Sequence, residues 1–343
     1  MNAVCDALGE LGIDTGSIAA AGHRIVHGGP RLRQTVRVDD AVERELEAVR
    51  ALAPAHVPRE FAALDAARER FGPAVPQIAV FDTTFHRTLP QSAATYGGPY
   101  EWLARDIRRY GFHGINVAYC VERAAHLLGK PVGELRMAVA HLGNGASVTA
   151  ILGGRSVDTS MGFTPLDGLL MGTRSGAVDP GILIYLLRDA AARGLDAAAA
   201  ADELDAVLNR RSGLLGLGGG TADVRDVLAA ERSGDARAAL ALAVFVHRAA
   251  VTLAGLLPSL GGLDALVFTG GIGEHAAEVR ARICERLGFA GVALDAGANR
   301  ARSSDVDVAT AGSPVRIFVI GAREEWFVAR ECARYVAAER PAS

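Results

Sequence analysis

The sequence predicts an α/β protein, and three observations carry that expectation. Short apolar runs ending in glycine or aspartate alternate with stretches whose apolar residues recur at helical spacing. The strands so marked are separated by segments long enough for crossover helices, the pattern of layered α/β architectures. The chain has 343 residues, half of them hydrophobic and 22% charged, enough for one large domain or two ordinary ones with a sizeable core.

The elements follow in order. IAAAGHRIVHGG (18–29) and PQIAVFDTTFH (76–86) each read as a strand running into a polar turn, with helices expected over 41–50 and 59–71. A helix is expected over 115–128. ELRMAVAHLGNGASVTAILGG (134–154) then reads as two strands around Gly143-Asn144-Gly145, a hairpin-type turn. Helices are expected over 181–193, 223–231 and 236–257. DALVFTGGIGEHAAEVRARICERLG (264–288) reads as a buried strand, a glycine loop and an amphipathic helix, and a last helix covers 323–336. The most apolar stretch, 238–260, is interrupted at mid-length by His247 and Arg248. Neither half could span a bilayer, so a buried helix is expected there.

Composition narrows the partners. A net charge of -3 gives no electrostatic case for nucleic acid or an anionic membrane. Cys5, Cys120, Cys284 and Cys332 are far apart, with no C-x-x-C and no zinc spacing, which fits a reducing cytoplasm. The first residues lack a basic start followed by an apolar run, so no signal peptide is expected. The single lysine, Lys130, follows Gly129 and precedes Pro131, without the upstream glycine of a Walker A loop. No G-x-G-x-x-G follows a strand, so a Rossmann dinucleotide site is also poorly supported.

Glycine turns at 143–145, 153–154, 216–220 and 270–273 could aim backbone N–H groups at a phosphate. TGGIGE (269–274) has that form, and Glu274 suits the positive end of a helix. Tight strand-to-helix turns look the same, so the residues leave both readings open. MGTRSGAVDPG (171–181) sets Arg174 in a backbone with no bulky side chain, where Gly172 and Gly176 let a ligand come close. On its own it also reads as a surface loop. The polar residues at strand ends and beside glycines are His23, Arg24, His27, Asp82, His86, His113, His141, Asn144 and Arg174. Singly, each reads as a hydrogen-bonded structural group. Together they describe an anion site of two arginines, several histidines and one acid, with neither a Ser-His-Asp context nor a metal-spaced histidine cluster.

HRIVHGG (23–29), FDTTFH (81–86), RRYGFHG (108–114), AHLGNGAS (140–147), DTSMGFTPLDGLLMGTRSG (158–176) and FTGGIGE (268–274) resemble the acetate kinase (acetokinase) family, in the same order and at similar spacing. The resemblance covers nearly the whole chain. It implies the two-domain α/β fold of the acetate and sugar kinase, Hsp70 and actin superfamily, with a nucleotide cleft between the domains. Residues 1–82 and 325–343 would form the first domain and 83–324 the second, which binds nucleotide and dimerises. The implied reaction is reversible phosphoryl transfer from ATP to acetate, giving ADP and acetyl phosphate, in a cytoplasmic homodimer that uses Mg2+ or Mn2+.

By the same resemblance Asp82, His113, His141 and Arg174 are catalytic. Arg24, Val26, Ala55, Phe112 and Pro165 hold the substrate, Arg24 by its carboxylate or phosphate. ATP falls to His141, Leu142, Gly143, Asn144 and Gly145, to Asp223, Val224 and Arg225, and to Gly271, Ile272, Gly273, Glu274 and His275. Glu324 belongs to the metal. Arg24 and Arg174 are expected to close on one migrating phosphoryl group.

Four departures from the family pattern bear on these expectations. The family starts with a strand and an Asn-x-Gly-Ser-Ser-Ser loop followed by lysine. Nothing like it is present here, so a truncated first domain with an unpaired apolar sheet edge is expected. The family's Gly-Thr-Ser-His stands as Gly114-Ile115-Asn116-Val117, and Pro-Leu-His-Asn-Pro as Pro54-Ala55-His56-Val57-Pro58. Arg323 stands where asparagine usually precedes the glutamate pair. Alanine in place of leucine at 55 leaves room for propionate, though one methylene changes preference by only about 1–3 kcal/mol. The alternatives are a propionate or other short-chain acid kinase and an inactive nucleotide-binding remnant.

Overall fold

The computed structural model describes residues 2–53, 56–301 and 304–339. Ala55 therefore lies outside the described residues. Among the described residues the apolar runs form nine strands in two sheets, and the chain divides into two compact units. The first comprises Met1–Thr88, Thr95–Tyr119 and Arg323–Ser343; the second comprises Leu89–Ala94 and Cys120–Ala322.

In the first unit, β1 (Ala21–Ile25) pairs in parallel with β3 (Gln77–Phe81), and β3 pairs antiparallel with β2 (Val36–Arg37), giving the order β1-β3-β2. After Gln77 the run IAVF is apolar at every position, as expected of a strand that is buried on both faces. Ala79 and Phe81 join Ile25, Leu46 and Leu64 on one side; Ile78 and Val80 join Ile115, Phe327 and Val328 on the other. Each such side chain stabilises by about 1.5–3 kcal/mol when fully buried. That double burial fixes the end of β3, where Asp82 follows. Among the described residues β1 has no strand on its other side. Beside it lies a cavity of about 760 Å³, lined chiefly by small and apolar residues including Ala20, Gly22, Val328 and Cys332.

Thr95–Tyr119 packs with the first unit, although the sequence suggested a second domain starting at 83. The reason is local. The Gly114 amide donates to the Asp82 carbonyl at 2.8 Å, and Ile115 enters the core behind β3.

The second unit holds a mixed sheet in the order β6-β5-β4-β7-β9-β8. Its strands are β4 (Arg136–Leu142), β5 (Ala146–Leu152), β6 (Arg155–Thr159), β7 (Ala265–Thr269), β8 (Val306–Asp307) and β9 (Arg316–Val319). β4, β7 and β9 run parallel, and β5, β6 and β8 are antiparallel to their neighbours. Gly143-Asn144-Gly145 closes the β4–β5 hairpin, as expected. Gly153 and Gly154, both at positive φ, close the next one in two residues.

The long helix Ala236–Leu260 is apolar enough and long enough to cross a membrane, but it is a core helix. It buries Leu242, Phe245, Val246 and Leu253 and lies against β4, β5 and β6. Two expectations need correction. Residues 270–275 form a short helix and not an open glycine loop, entered through Gly270 at φ 77. The helix Ala197–Arg210 was not foreseen; its alanine run is polar only at its cap, where Asp196 accepts the Ala199 amide at 2.8 Å.

Candidate active site

In the first unit the site grows from Arg24, on β1, and Asp82, at the end of the neighbouring β3. Parallel pairing puts the ends of these strands side by side, with Ile25 opposite Phe81. The Arg24 guanidinium grips Asp82 through Nη2 to Oδ2 at 2.7 Å and through Nε to both carboxylate oxygens at 3.2 Å. Its Nη1 reaches Glu324 Oε2 at 2.6 Å, in the first turn of the helix Glu324–Glu339. Burial works against the charge on Arg24, but Asp82, Glu324 and Glu60 outweigh it and hold the group fully protonated. Burial pushes the Glu324 carboxyl up to about 7, with Arg24 opposing and Asp82 adding to the rise.

His113 and Phe112 sit on the turn that Gly114 clamps to Asp82. His113 takes φ 59, unusual for a residue with a side chain, and is buried. A Cβ on Gly114 would run into the Asp82 carbonyl oxygen, so glycine is required there. His86 donates from Nε2 to the Phe112 carbonyl at 2.9 Å. Full burial drives its pKa down to about 4, so at neutral pH it is an uncharged strut holding this turn, not a site base. His27 stacks edge-on against Phe112 and Tyr110. Val26 is partly buried, and its amide is held by Glu60 Oε1 at 2.8 Å.

In the second unit the site grows from the carboxyl ends of parallel β4 and β7, where His141 stands opposite Thr269. Crevices at such strand ends are where open α/β sheets take their ligands. A Cβ on Gly270 would meet the Leu142 carbonyl and His141 Nε2, and one on Gly143 would lie near the Gly271 amide. Thus His141, Leu142, Gly143, Gly270 and Gly271 converge. Gly271 itself faces open space, while Ile272 and Gly273 are buried beneath it. Asn144 binds the 171–176 loop: its carbonyl accepts the Gly172 amide at 3.1 Å, and a Cβ on Gly172 would strike its side chain.

Arg174 is carried on that loop. Its Nη1 lies 3.3 Å from the Pro165 carbonyl and 3.9 Å from Met171 Sδ. No carboxylate pairs with it among the described residues, and burial lowers its pKa. Pro165, expected to line a substrate pocket, contributes its carbonyl to Arg174.

The remaining expected residues are occupied elsewhere. Asp223 caps the helix Val224–Arg232 and pairs with Arg225, whose side chain holds the carboxyl down at about 2. Val224 is buried in the core. Glu274 Oε1 accepts the Ala322 amide at 3.0 Å, so its carboxylate is committed to the backbone after β9. His275 is exposed.

Two residues were missed by sequence reasoning. Glu60 stands on the buried stripe of its helix beside Val57, Leu64 and Ala67. Arg280 is 2% exposed and bonds the carbonyls of Gly273, Glu274 and Asn299 and the Asn299 side chain, bracing the glycine helix from behind. A charged residue on an otherwise apolar helical stripe was the available signal in both cases.

The chain matches the Acetokinase family over residues 1–330. It is 51% identical over 319 residues to an acetate kinase of Gloeobacter violaceus, covering 93% of this chain and 77% of that one. Among solved structures it is similar to a propionate kinase from Francisella tularensis, with a TM-score of 0.87 and 40% identity over 96% of this chain and 82% of that one. It is also similar to Porphyromonas gingivalis acetate kinase, with a TM-score of 0.83 and 36% identity over 92% and 78% of the two chains. Both the α/β architecture and the motif resemblance are therefore accounted for: the chain belongs to the acetokinase family.

Proposed function

We propose that this protein phosphorylates a short carboxylic acid with ATP, acetate being the first candidate and propionate the second. The observation that carries the reading is Arg174, a partly buried guanidinium without an acidic partner among the described residues, on a glycine-bounded loop that Asn144 ties to the glycine turns. Phosphoryl transfer needs positioning and stabilisation of charge on the migrating group, and a permanently charged, bidentate arginine supplies both. The turns at 143–145 and 270–273 take the nucleotide phosphates through backbone N–H groups, with His141 beside them.

Arg24 holds the substrate carboxylate, with Val26 and Phe112 beside the alkyl group. A simple carboxylic acid ionises near pH 4 to 5, like a glutamate side chain, so the nucleophile needs no general base. Asp82 therefore orients Arg24 and acts electrostatically, and His113 supports the charge that develops.

Glu324 fits a divalent cation such as Mg2+ or Mn2+. Carboxylate oxygen is the right donor, and Glu324 and Asp82 share a single guanidinium, leaving negative charge in excess. Among the described residues no three acids, histidines or cysteines cluster as a metal cage. Magnesium bound mainly through substrate phosphates and one or two carboxylates needs none. The cation would neutralise phosphate charge; the protein's part is to hold Glu324 in place through Arg24.

A hydroxamate assay with ATP and a panel of acids tests the reading. Acetate and propionate are expected to give acyl phosphate, within about 10- to 200-fold of each other. No acid-dependent product would reject the proposal.

The second unit also offers a surface for self-association. Val178, Ile182, Ile184, Tyr185 and Leu187 are exposed together on the loop and helix at 178–187. Such a patch marks an interaction surface, and a second copy is the proposed occupant. A Tyr185→Glu, Ile184→Glu double variant is expected to sediment as a monomer where the parent sediments as a dimer. A reducing cytoplasm suits the buried cysteines Cys120, Cys284 and Cys332, none of which forms a disulfide among the described residues.

A further inference from the structure

Glu60 is the one acid on the buried stripe of the helix Val57–Phe71, and it lies at the substrate end of β1. Its two oxygens are treated differently. Oε1 accepts the Val26 amide at 2.8 Å, while Oε2 is buried without a hydrogen-bond partner. A buried carboxylate oxygen with no donor penalises the ionised form. The same carboxyl acts on Arg24, which also faces Asp82 and Glu324. One cation thus answers to three acids. When all three are ionised, the excess of negative charge opposes any anion approaching that guanidinium.

We propose that Glu60 is a positioning residue that sets how strongly Arg24 attracts the carboxylate substrate. Ionised, its negative charge weakens the pull of the guanidinium on an approaching anion; with a proton on Oε2 that opposition is gone. In both states Oε1 keeps the Val26 amide in place. This inference rests on Arg24 being the substrate's anchor.

The surroundings put the change near neutral pH. Burial pushes the Glu60 carboxyl up to about 7; the Val26 amide and Arg24 oppose the rise and Asp82 adds to it. The charged groups facing it are Arg24 from β1, Asp82 from the end of β3, and Glu324 acting through the same guanidinium. His23, also on β1, is turned to Gln77 at 2.7 Å, and Arg68 on the helix of Glu60 is paired with Glu43.

The test is steady-state kinetics from pH 6 to 8.5 on the parent and on Glu60→Gln, which keeps an oxygen for Val26 and cannot ionise. In the parent, KM for acetate is expected to rise about fivefold across this range. In Glu60→Gln the rise is expected to shrink to the part left by Glu324, and KM for ATP shows no such difference. Glu60→Ala, which also loses the Val26 anchor, is expected to raise KM for acetate at every pH.

Melting curves supply a readout that does not need activity. Native Glu60 binds its proton more readily than the unfolded chain does, so its contribution to stability falls as pH rises from about 4.5 to 7. At pH 8, Glu60→Gln is therefore expected to melt above the parent. If Glu60→Gln keeps the parent's pH-dependent KM, or if the parent's KM is flat, the inference is overturned while the kinase reading stands. Absence of acid-dependent turnover in the parent overturns the kinase reading, and the inference with it.

Discussion

Arg174→Ala is expected to lower kcat for acyl phosphate formation by about a thousandfold, the scale of losing one strong donor to a charge-bearing transition state. The dissociation constant for ATP is expected to change by less than about threefold, because the nucleotide rests on backbone amides of the glycine turns. The split between turnover and affinity is the signature of a group engaged mainly in the transition state. The fold should survive. Arg174 makes only long contacts, 3.3 Å to the Pro165 carbonyl and 3.9 Å to Met171 Sδ, and no ion pair among the described residues is lost. Arg174→Lys restores the charge without the bidentate fork and is expected to recover a small part of the rate. Stopped-assay kinetics alongside ATP titration of the same preparations decide it. Near-normal turnover in Arg174→Ala contradicts the assignment.

Gly114→Ala is expected to be strongly damaging. The added Cβ would strike the Asp82 backbone carbonyl and crowd Phe85, and neither the end of β3 nor the first turn of Gly114–Leu128 can move away freely. Overpacking against backbone costs about 3 kcal/mol or more. For a unit of this size that lowers Tm by about 10 °C. Activity is expected to fall further than stability explains, because the displaced carbonyl belongs to Asp82 and the displaced turn carries His113. Calorimetry and kinetics on the purified variant check both parts. A Tm within 2 °C of the parent, as a rough threshold, would show that the turn is not held as described.

Much of the fold was legible because burial leaves periodic traces. IAVF (78–81) is apolar at every position, and β3 is covered on both faces. The β4–β5 hairpin announced itself through Gly143-Asn144-Gly145. β2, β6, β8 and β9 escaped notice: two are only two residues long, and the other two are four and five residues long. Ala197–Arg210 was hidden by an alanine run whose periodicity is weak.

The site was legible where motifs named it. Arg24, Asp82 and Glu324 meet around one guanidinium, and His141 meets Gly143 and Gly270 at the ends of β4 and β7. Other roles depended on contacts that no linear pattern records. Glu274 looked like a phosphate-loop acid, yet its carboxylate accepts the Ala322 amide, 48 residues away. Glu60 and Arg280 were concealed by sitting on apolar helix faces, where their charge reads as an exception to a stripe.

The most direct measurement is phosphorus NMR of the purified protein with ATP, magnesium and acetate, followed over many turnovers. One acyl phosphate resonance is expected to grow for each ADP formed, with none in the absence of acid. ADP accompanied only by inorganic phosphate, or ADP formation indifferent to acetate and propionate, would contradict the account.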